Sequence, residues 1–449
     1  MHTSMGQVPV GKEDRERKGP EVWTVECRIK ATSLVAYEEV AAAMTKCLKE
    51  ALPLSLDIRS EEALQGQLYA LCASTAYATD IATIRLDLDH PNKDQLILEA
   101  SDHLHVYVYQ LVDDMSHHLS SSSSVNMLED DLIDEEDEEA HSALADECPL
   151  PSRCFEGLWS NLIYEPGIKP RLLRYAETAM LLTDRAVNPH LISFHRTLLL
   201  HGPPGTGKTS LARALSQQMA IRLSNRFPRA CLVEVRAHSL FSRWFSESGK
   251  LVARAFREVR QRAQDPQCLV CVLIDEVESL TAARQAALSG TEPADAIRAV
   301  NAVLTQLDKM TRYPNVFILT TSNMDQAIDP AFIDRTDLKE YIGYPSISAI
   351  RTILSSTIEE MIRKDILLPP PSANLLTAVS NDSLIPLAEK CQGWSGRTLR
   401  RLPFLALGLF PSPMTSKIPL DQWLRALHQV SEEERAREAR LTTSQPSSF

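Results

Sequence analysis

The stretch that most constrains this chain is 198–215, LLLHGPPGTGKTSLARAL. A short apolar run at 197–200 predicts a buried strand. Gly202, Pro203, Pro204, Gly205, Thr206 and Gly207 predict a loop, and Lys208, Thr209 and Ser210 open an amphipathic helix. The pattern fits G-x-x-x-x-G-K-[ST], with the preceding strand and following helix that such a loop requires. Each residue type has its own reason. Glycines let backbone N–H groups approach phosphate oxygens, and a helix N-terminus adds unpaired donors. Lys208 brings a charge to the β- and γ-phosphates, and Thr209 offers a hydroxyl to Mg²⁺.

A length of 449 residues suggests two to four domains at roughly 150 residues each. Lys plus Arg number 47 against 59 Asp plus Glu, a net charge of −12. That balance argues against nucleic acid as the main ligand, because the phosphate backbone rewards basic surfaces. No apolar run is long enough to predict a membrane span, and residues 1–20 lack the apolar core of a secretory signal. Nine scattered cysteines suit a reducing compartment. Cys268 and Cys271 form a C-x-x-C inside an apolar strand, which predicts core packing rather than a metal site.

Residues 1–20 read as a disordered tail. At 22–30 the chain alternates, Trp23, Val25, Cys27 and Ile29 against Thr24, Glu26, Arg28 and Lys30, predicting a half-buried strand. A helix over 34–52 and two further strands, around Ile84–Leu88 and 103–111, complete a small α+β domain over 21–113. His103, His105, His117 and His118 read as surface histidines. A serine run at 120–124 and nine carboxylates within 129–139 predict a solvated linker over 114–150. Leu158, Trp159, Leu162, Ile163 and Tyr164 form an apolar cluster that walls an adenine pocket or simply fills core.

Beyond the phosphate loop, 231–235 reads as a strand, and Val252, Ala255, Phe256 and Val259 mark one face of a helix. Trp244 and Phe245 lie between them, as a functional surface pair or as a core anchor. The run 269–274 predicts a strand buried on both faces, ending in Asp275 and Glu276. Asp275 at a strand's carboxyl end can hold Mg²⁺, and Glu276 can polarise a water. A further buried strand at 316–319 leads to Asn323, an amide that can orient that water if the two strands are neighbours. Gly393 stops one helix and Ser395 caps the next, placing Arg397 in its first turn. The helix dipole disfavours a cation there unless an anion is bound nearby.

In this order and spacing, Thr206–Thr209, Leu273–Glu276, Asn323, Arg335 and Arg397 resemble an AAA+ ATPase. LFSRWFSESGKLV, VLIDEVESLTAAR, GTEPADAIRAVNAVLTQLD, ILTTSN and WSGRTLRRLPFLA are similar to the pachytene checkpoint AAA+ family. The resemblance runs from about Phe155 to Ala426. It implies an α/β fold: a phosphate-loop NTPase with a parallel sheet over 151–345, a helical small subdomain over 346–430, a separate α+β N-terminal domain, and a tail over 431–449.

It also implies roles. Lys208 and Thr209 match Walker A, and Asp275 and Glu276 match Walker B, with Glu276 as catalytic base. Asn323 matches sensor 1, Arg397 sensor 2, and Arg335 an arginine finger reaching a neighbouring subunit. Trp244 and Phe245 match a first substrate-gripping pore loop, and 286–292, with Gly290, a second. The implied cofactors are ATP and Mg²⁺. The implied assembly is a homo-hexamer, and the implied partners are HORMA-domain proteins with a HORMA-like adaptor. The implied setting is the meiotic and spindle checkpoints, in nucleus and cytoplasm, at chromosomes or kinetochores through its partners. A single arginine in the finger region departs from many AAA+ proteins, and the acidic insert is not part of the family core. A nucleotide-dependent scaffold, or an AAA+ machine with another substrate, is the alternative.

Overall fold

A computed structural model describes residues 22–57, 61–87, 95–98, 103–113, 145–188, 190–236, 248–279, 295–323, 328–368, 381–410 and 417–443. These fall into two compact units, 1–108 and 109–449.

In the first unit, β1 (Val22–Ile29) is the centre of a three-stranded sheet between β3 (Ile81–Asp87) and β5 (His103–Tyr109). β1 and β3 run antiparallel, with Val25 opposite Leu86 and Cys27 opposite Ile84. The alternation read in the sequence follows from this: Val25, Cys27 and Ile29 are buried together with Ile81, Ile84 and Leu86. They pack with Val40, Met44 and Leu48 from the helix Tyr37–Glu50, and Leu64 and Leu68 from the helix Glu61–Cys72. A short antiparallel pair, β2 (Leu54–Asp57) with β4 (Gln95–Leu98), was not evident in the sequence. His103 and His105 are exposed; His117 and His118 lie outside the described residues.

The second unit is built on a six-stranded sheet. Its strands are β6 (Ala145–Leu150), β7 (Thr197–His201), β8 (Arg229–Arg236), β9 (Cys268–Asp275), β10 (Val316–Ser322) and β11 (Leu338–Tyr341), in the order β11-β7-β10-β9-β8-β6. All the pairings are parallel except that of β6 with β8. β6 lies within the stretch read as linker. Its Leu150 sits in the same core as the strand residues beside it.

The continuous apolar run of β9 is explained by two cores, one on each face of the sheet. Val270, Val272 and Ile274 face the helices Ser248–Ala263 and Asp295–Met310, while Leu269, Cys271 and Leu273 face Ile168–Asp184 and Lys208–Arg222. Period-2 alternation thus produces unbroken hydrophobicity when both faces are covered. Val252, Ala255, Phe256 and Val259 are all buried, as the helical spacing predicts.

The phosphate-loop helix departs from the amphipathic expectation. From Leu211 to Ile221 every residue but Arg213 is buried. Two of its buried polar residues are bonded within the fold: Ser216 donates to Ala212 O at 3.0 Å, and Gln217 exchanges two bonds with the Ser152 backbone at 2.8 and 2.9 Å. A third core belongs to the helices Ile347–Arg363, Asn381–Lys390, Gly396–Leu407 and Leu420–Thr443 around buried Trp423 and Trp394. The last helix runs through much of the stretch expected to be a tail. Among the described residues no helix is long and apolar enough to cross a membrane.

Candidate functional site

Strand order brings the chemistry together. β7, β10 and β9 are neighbours, and Ser322 pairs with His201 while Thr320 pairs with Ile274. The phosphate loop, Asp275-Glu276 and Asn323 therefore leave the sheet at one edge, the carboxyl end, where open α/β sheets bind ligands.

The loop 202–207 turns from β7 into the helix beginning at Lys208. The Lys208 ammonium is buried beneath it, donating to Gly202 O at 2.9 Å and Pro203 O at 2.8 Å. Two glycines are required by what approaches them as well as by their positive φ angles. A Cβ on Gly205 (φ +77°) would lie 2.8 Å from Ser395 Oγ, and one on Gly207 (φ +92°) 2.8 Å from the Tyr164 hydroxyl. Tyr164 donates to Thr206 O and Gly207 O at 3.3 and 3.2 Å. Burial pushes its phenol pKa up, against a smaller pull from Arg400.

Thr209 Oγ1 donates to Asp275 Oδ1 at 2.9 Å, and the Thr321 hydroxyl bonds the same carboxylate oxygen. Thr321 Oγ1 also accepts from Glu276 N at 3.3 Å, and Thr321 O from Val277 N at 3.0 Å. Glu276 is exposed, with φ +58°. A non-glycine residue held there is strained by about 1–3 kcal/mol and is characteristic of functional sites. Behind Thr209, Arg213 forms a two-point ion pair with Glu234, both bonds 2.7 Å. That bond, ahead of the nearby Asp275 charge, raises the guanidinium pKa.

Asn323 stands at the end of β10, but its amide is bonded to Glu278 rather than to Asp275 or Glu276: Glu278 Oε1 accepts from Asn323 Nδ2 at 3.0 Å and from Asn323 N at 3.2 Å. Arg397 is next to the phosphate loop, its N–H donating to Gly205 O at 3.1 Å. Ser395 caps that helix, accepting from Thr398 N. Arg335 is not among these groups. It makes a two-point pair with Asp308, at 2.6 and 2.9 Å, and donates to Ala331 O at 2.7 Å. The bond to Asp308 raises its pKa. Trp244, Phe245 and Gly290 lie outside the described residues.

A cavity of ≈ 440 Å³ adjoins the loop, lined among others by Leu158, Leu162, Tyr164, Tyr344, Arg397 and Arg400. It thus includes most of the cluster whose role the sequence left open, though not Trp159. Its size and mixed lining suit a nucleotide. The donor set beside it fits Mg²⁺–ATP: a buried ammonium at the phosphate loop, and a hydroxyl and a carboxylate at hard-cation spacing. Thr321, Glu278, Asp308 and Arg400 were not singled out by sequence reasoning. Two carried a signal: Glu278 is a further acid just after Asp275-Glu276, and Arg400 lies one helical turn beyond Arg397.

Residues 198–344 match the family described as "ATPase family associated with various cellular activities (AAA)", and 372–435 match the "TRIP13-like, AAA+ ATPase lid C-terminal domain". The pachytene checkpoint protein 2 homolog of Arabidopsis thaliana is 52% identical over 286 residues, 59% of this chain and 61% of that protein. The chain thus spans under two thirds of that relative. The homolog of Danio rerio is 45% identical over 348 residues, 75% of this chain and 78% of that protein. A solved structure of C. elegans PCH-2 superposes with a TM-score of 0.69 at 27% identity, covering 93% of this chain and all of that one. The E. coli MS115-1 HORMA:CdnC:Trip13 complex includes a chain with a TM-score of 0.51 at 18% identity, covering 64% of this chain and 96% of that one. The AAA+ fold expected from the sequence is the one observed.

Proposed function

The chain belongs to the pachytene checkpoint protein 2 family of AAA ATPases, and from that premise we propose that it hydrolyses ATP to remodel HORMA-domain proteins. The observation that carries the ATPase reading is that Thr209 and Thr321 both bind the Asp275 carboxylate, that Thr321 also holds the Glu276 N–H, and that Lys208 is buried in the phosphate loop. A scaffold needs the phosphate loop but not a strained, exposed glutamate fixed next to it.

Bound ATP with Mg²⁺ supplies the phosphoryl group to be transferred and the charge that holds it. Lys208 would bind the phosphates, and Thr209 and Asp275 would hold the metal. Glu276, kept in place through its own N–H by Thr321, accepts a proton from water. Asn323 would face the nucleotide as sensor 1 and orient the attacking water, and Arg397, whose backbone N–H bonds Gly205 O and which lines the cavity beside the loop, would meet the phosphates as sensor 2. Arg335 acts on the site of a neighbouring copy in a hexameric ring.

Trp244, Phe245 and Gly290 grip an extended segment of substrate, since aromatic faces hold a peptide with little regard to sequence. The HORMA assignment is supported by family membership and by the HORMA:CdnC:Trip13 neighbour. The first unit receives the HORMA protein with a HORMA-like adaptor. The setting is the meiotic and spindle checkpoints, in nucleus and cytoplasm, at chromosomes or kinetochores.

The test is a trap. Glu276→Gln with ATP should form a stable ring that retains its substrate, to be identified after pull-down; wild-type turnover in this variant would remove Glu276 as base. Mixed rings of Arg335→Ala and Lys208→Ala subunits should regain hydrolysis that neither has alone. No recovery in verified mixed rings would count against action between subunits.

A further inference from the structure

The turn after β9 is stitched to the end of β10 by side chains from both. Thr321 binds the Asp275 carboxylate, the Glu276 N–H and the Val277 N–H. One residue on, Glu278 Oε1 takes both the backbone N–H and the side-chain N–H of Asn323. The turn itself is closed by Ser279, whose N–H and hydroxyl both donate to Glu276 O, at 3.1 and 2.8 Å.

Two features of Glu278 need a reason. Its other oxygen, Oε2, is buried and has no hydrogen-bond partner among the described residues. A buried, unsatisfied carboxylate oxygen works against folding. The second feature is directional. A carboxylate can only accept, whereas the Asn323 amide has an oxygen and a nitrogen of almost equal shape. Facing Glu278, the amide is stable only with its nitrogen toward the carboxylate, because the flipped form opposes two oxygens. The charge strengthens that preference, since hydrogen bonds to ionised acceptors are about twice as strong as neutral ones. Nδ2 has two hydrogens, and Glu278 uses one of them.

We infer that Glu278 is a positioning residue for ATP hydrolysis: it locks the Asn323 amide in the orientation that leaves an N–H to donate to the terminal phosphate. This rests on the reading of Asn323 as an amide that faces the nucleotide. Glu278 itself does not touch substrate; it acts through Asn323. Burial of its unpartnered oxygen is accounted for by this task rather than by stability.

The experiment uses the full chain and four variants, Glu278→Ala, Glu278→Gln, Asn323→Ala and the double Glu278→Ala/Asn323→Ala. Turnover is measured alongside melting temperature. ATP and ADP affinities are measured with each change placed in a Glu276→Gln background, so that binding is read without hydrolysis. Glu278→Ala should lower kcat about tenfold with little change in KM, the pattern of an interaction that matters at the transition state. It should also reduce the preference for ATP over ADP. Glu278→Gln, which keeps an acceptor oxygen, should restore most of both. The double variant should be no slower than Asn323→Ala, because the two residues form one path.

If the two losses multiply in the double variant, or if Glu278→Ala matches wild type while Asn323→Ala is slow, the positioning role is overturned and the reading of Asn323 stands. If Asn323→Ala itself hydrolyses ATP and prefers it over ADP as wild type does, the reading of Asn323 fails and this proposal fails with it. If Glu278→Ala does not fold, Glu278→Gln decides: turnover as low as that of Asn323→Ala, with an unchanged melt, overturns a role that an acceptor oxygen alone should fill.

Discussion

Thr321 does two jobs with one hydroxyl: it donates to the Asp275 carboxylate and accepts from the Glu276 backbone. A valine has the same shape and neither bond. Thr321→Val should therefore slow ATP turnover about tenfold while lowering stability by only about 1–2 kcal/mol, the scale of two lost hydrogen bonds in a buried strand. ATPase assays and thermal melts on one sample check both. The cysteines make a second prediction. Burial pushes Cys271 up to about 12 and Cys391 up to about 11, so both are protonated near neutral pH and shielded as well. Cys154 is exposed. Alkylation of the folded protein at neutral pH, read by mass spectrometry, should label Cys154 well before Cys271 or Cys391, and all three alike in denaturant. Early labelling of Cys271 would show that the core opens readily.

At the scale of elements, the helix Gly396–Leu407 is joined to the phosphate loop through its N-terminus. Ser395 approaches Gly205, and the Arg397 N–H bonds Gly205 O. The glycine was expected from the need for backbone to approach phosphate, and the structure adds a second need, the approach of this helix. Gly205→Ala should therefore do more than hinder nucleotide. Its Cβ would press on Ser395, and φ +77° is unfavourable for alanine. The expected result is a loss of about 1–3 kcal/mol in thermal stability without nucleotide, together with weaker ATP binding by calorimetry. A variant that melts as wild type but binds ATP poorly would show that the contact with the helix is unimportant.

At the scale of the whole molecule, the two units have separate cores. The first is made from residues between Val25 and Val108, and no residue of it enters the described clusters of the second. Val112 already belongs with the second, its N–H donating to Pro151 O and its carbonyl accepting from Arg153 N. A chain lacking residues 1–108 should keep basal ATP hydrolysis and the melting transition of the second unit, while losing conversion of a HORMA protein. Loss of basal hydrolysis on this truncation would mean that the first unit supports the catalytic unit directly.

What the sequence determined by itself was local or periodic. A phosphate loop is legible because its glycines, lysine and threonine act within a few residues of one another. The strand β9 and the face of Ser248–Ala263 are legible because burial repeats with the period of the backbone. Ser395 was legible as a cap because a capping bond spans only three residues. Tertiary structure decided the rest through pairings between distant residues, which no local pattern encodes. Asn323 was placed beside the Walker B acids by strand order, yet its partner is Glu278. The cation at Arg335, in a turn, rests on Asp308 from the helix Asp295–Met310. β6 reads as part of a solvated stretch but joins the sheet against β8. The phosphate-loop helix, polar enough to read as amphipathic, is enclosed almost all round, since helices cover it on one side and the sheet on the other, and its glutamine finds Ser152 only in the folded chain. In each case a hydrogen-bonding or apolar group has several possible partners, and only the packed sheet selects among them.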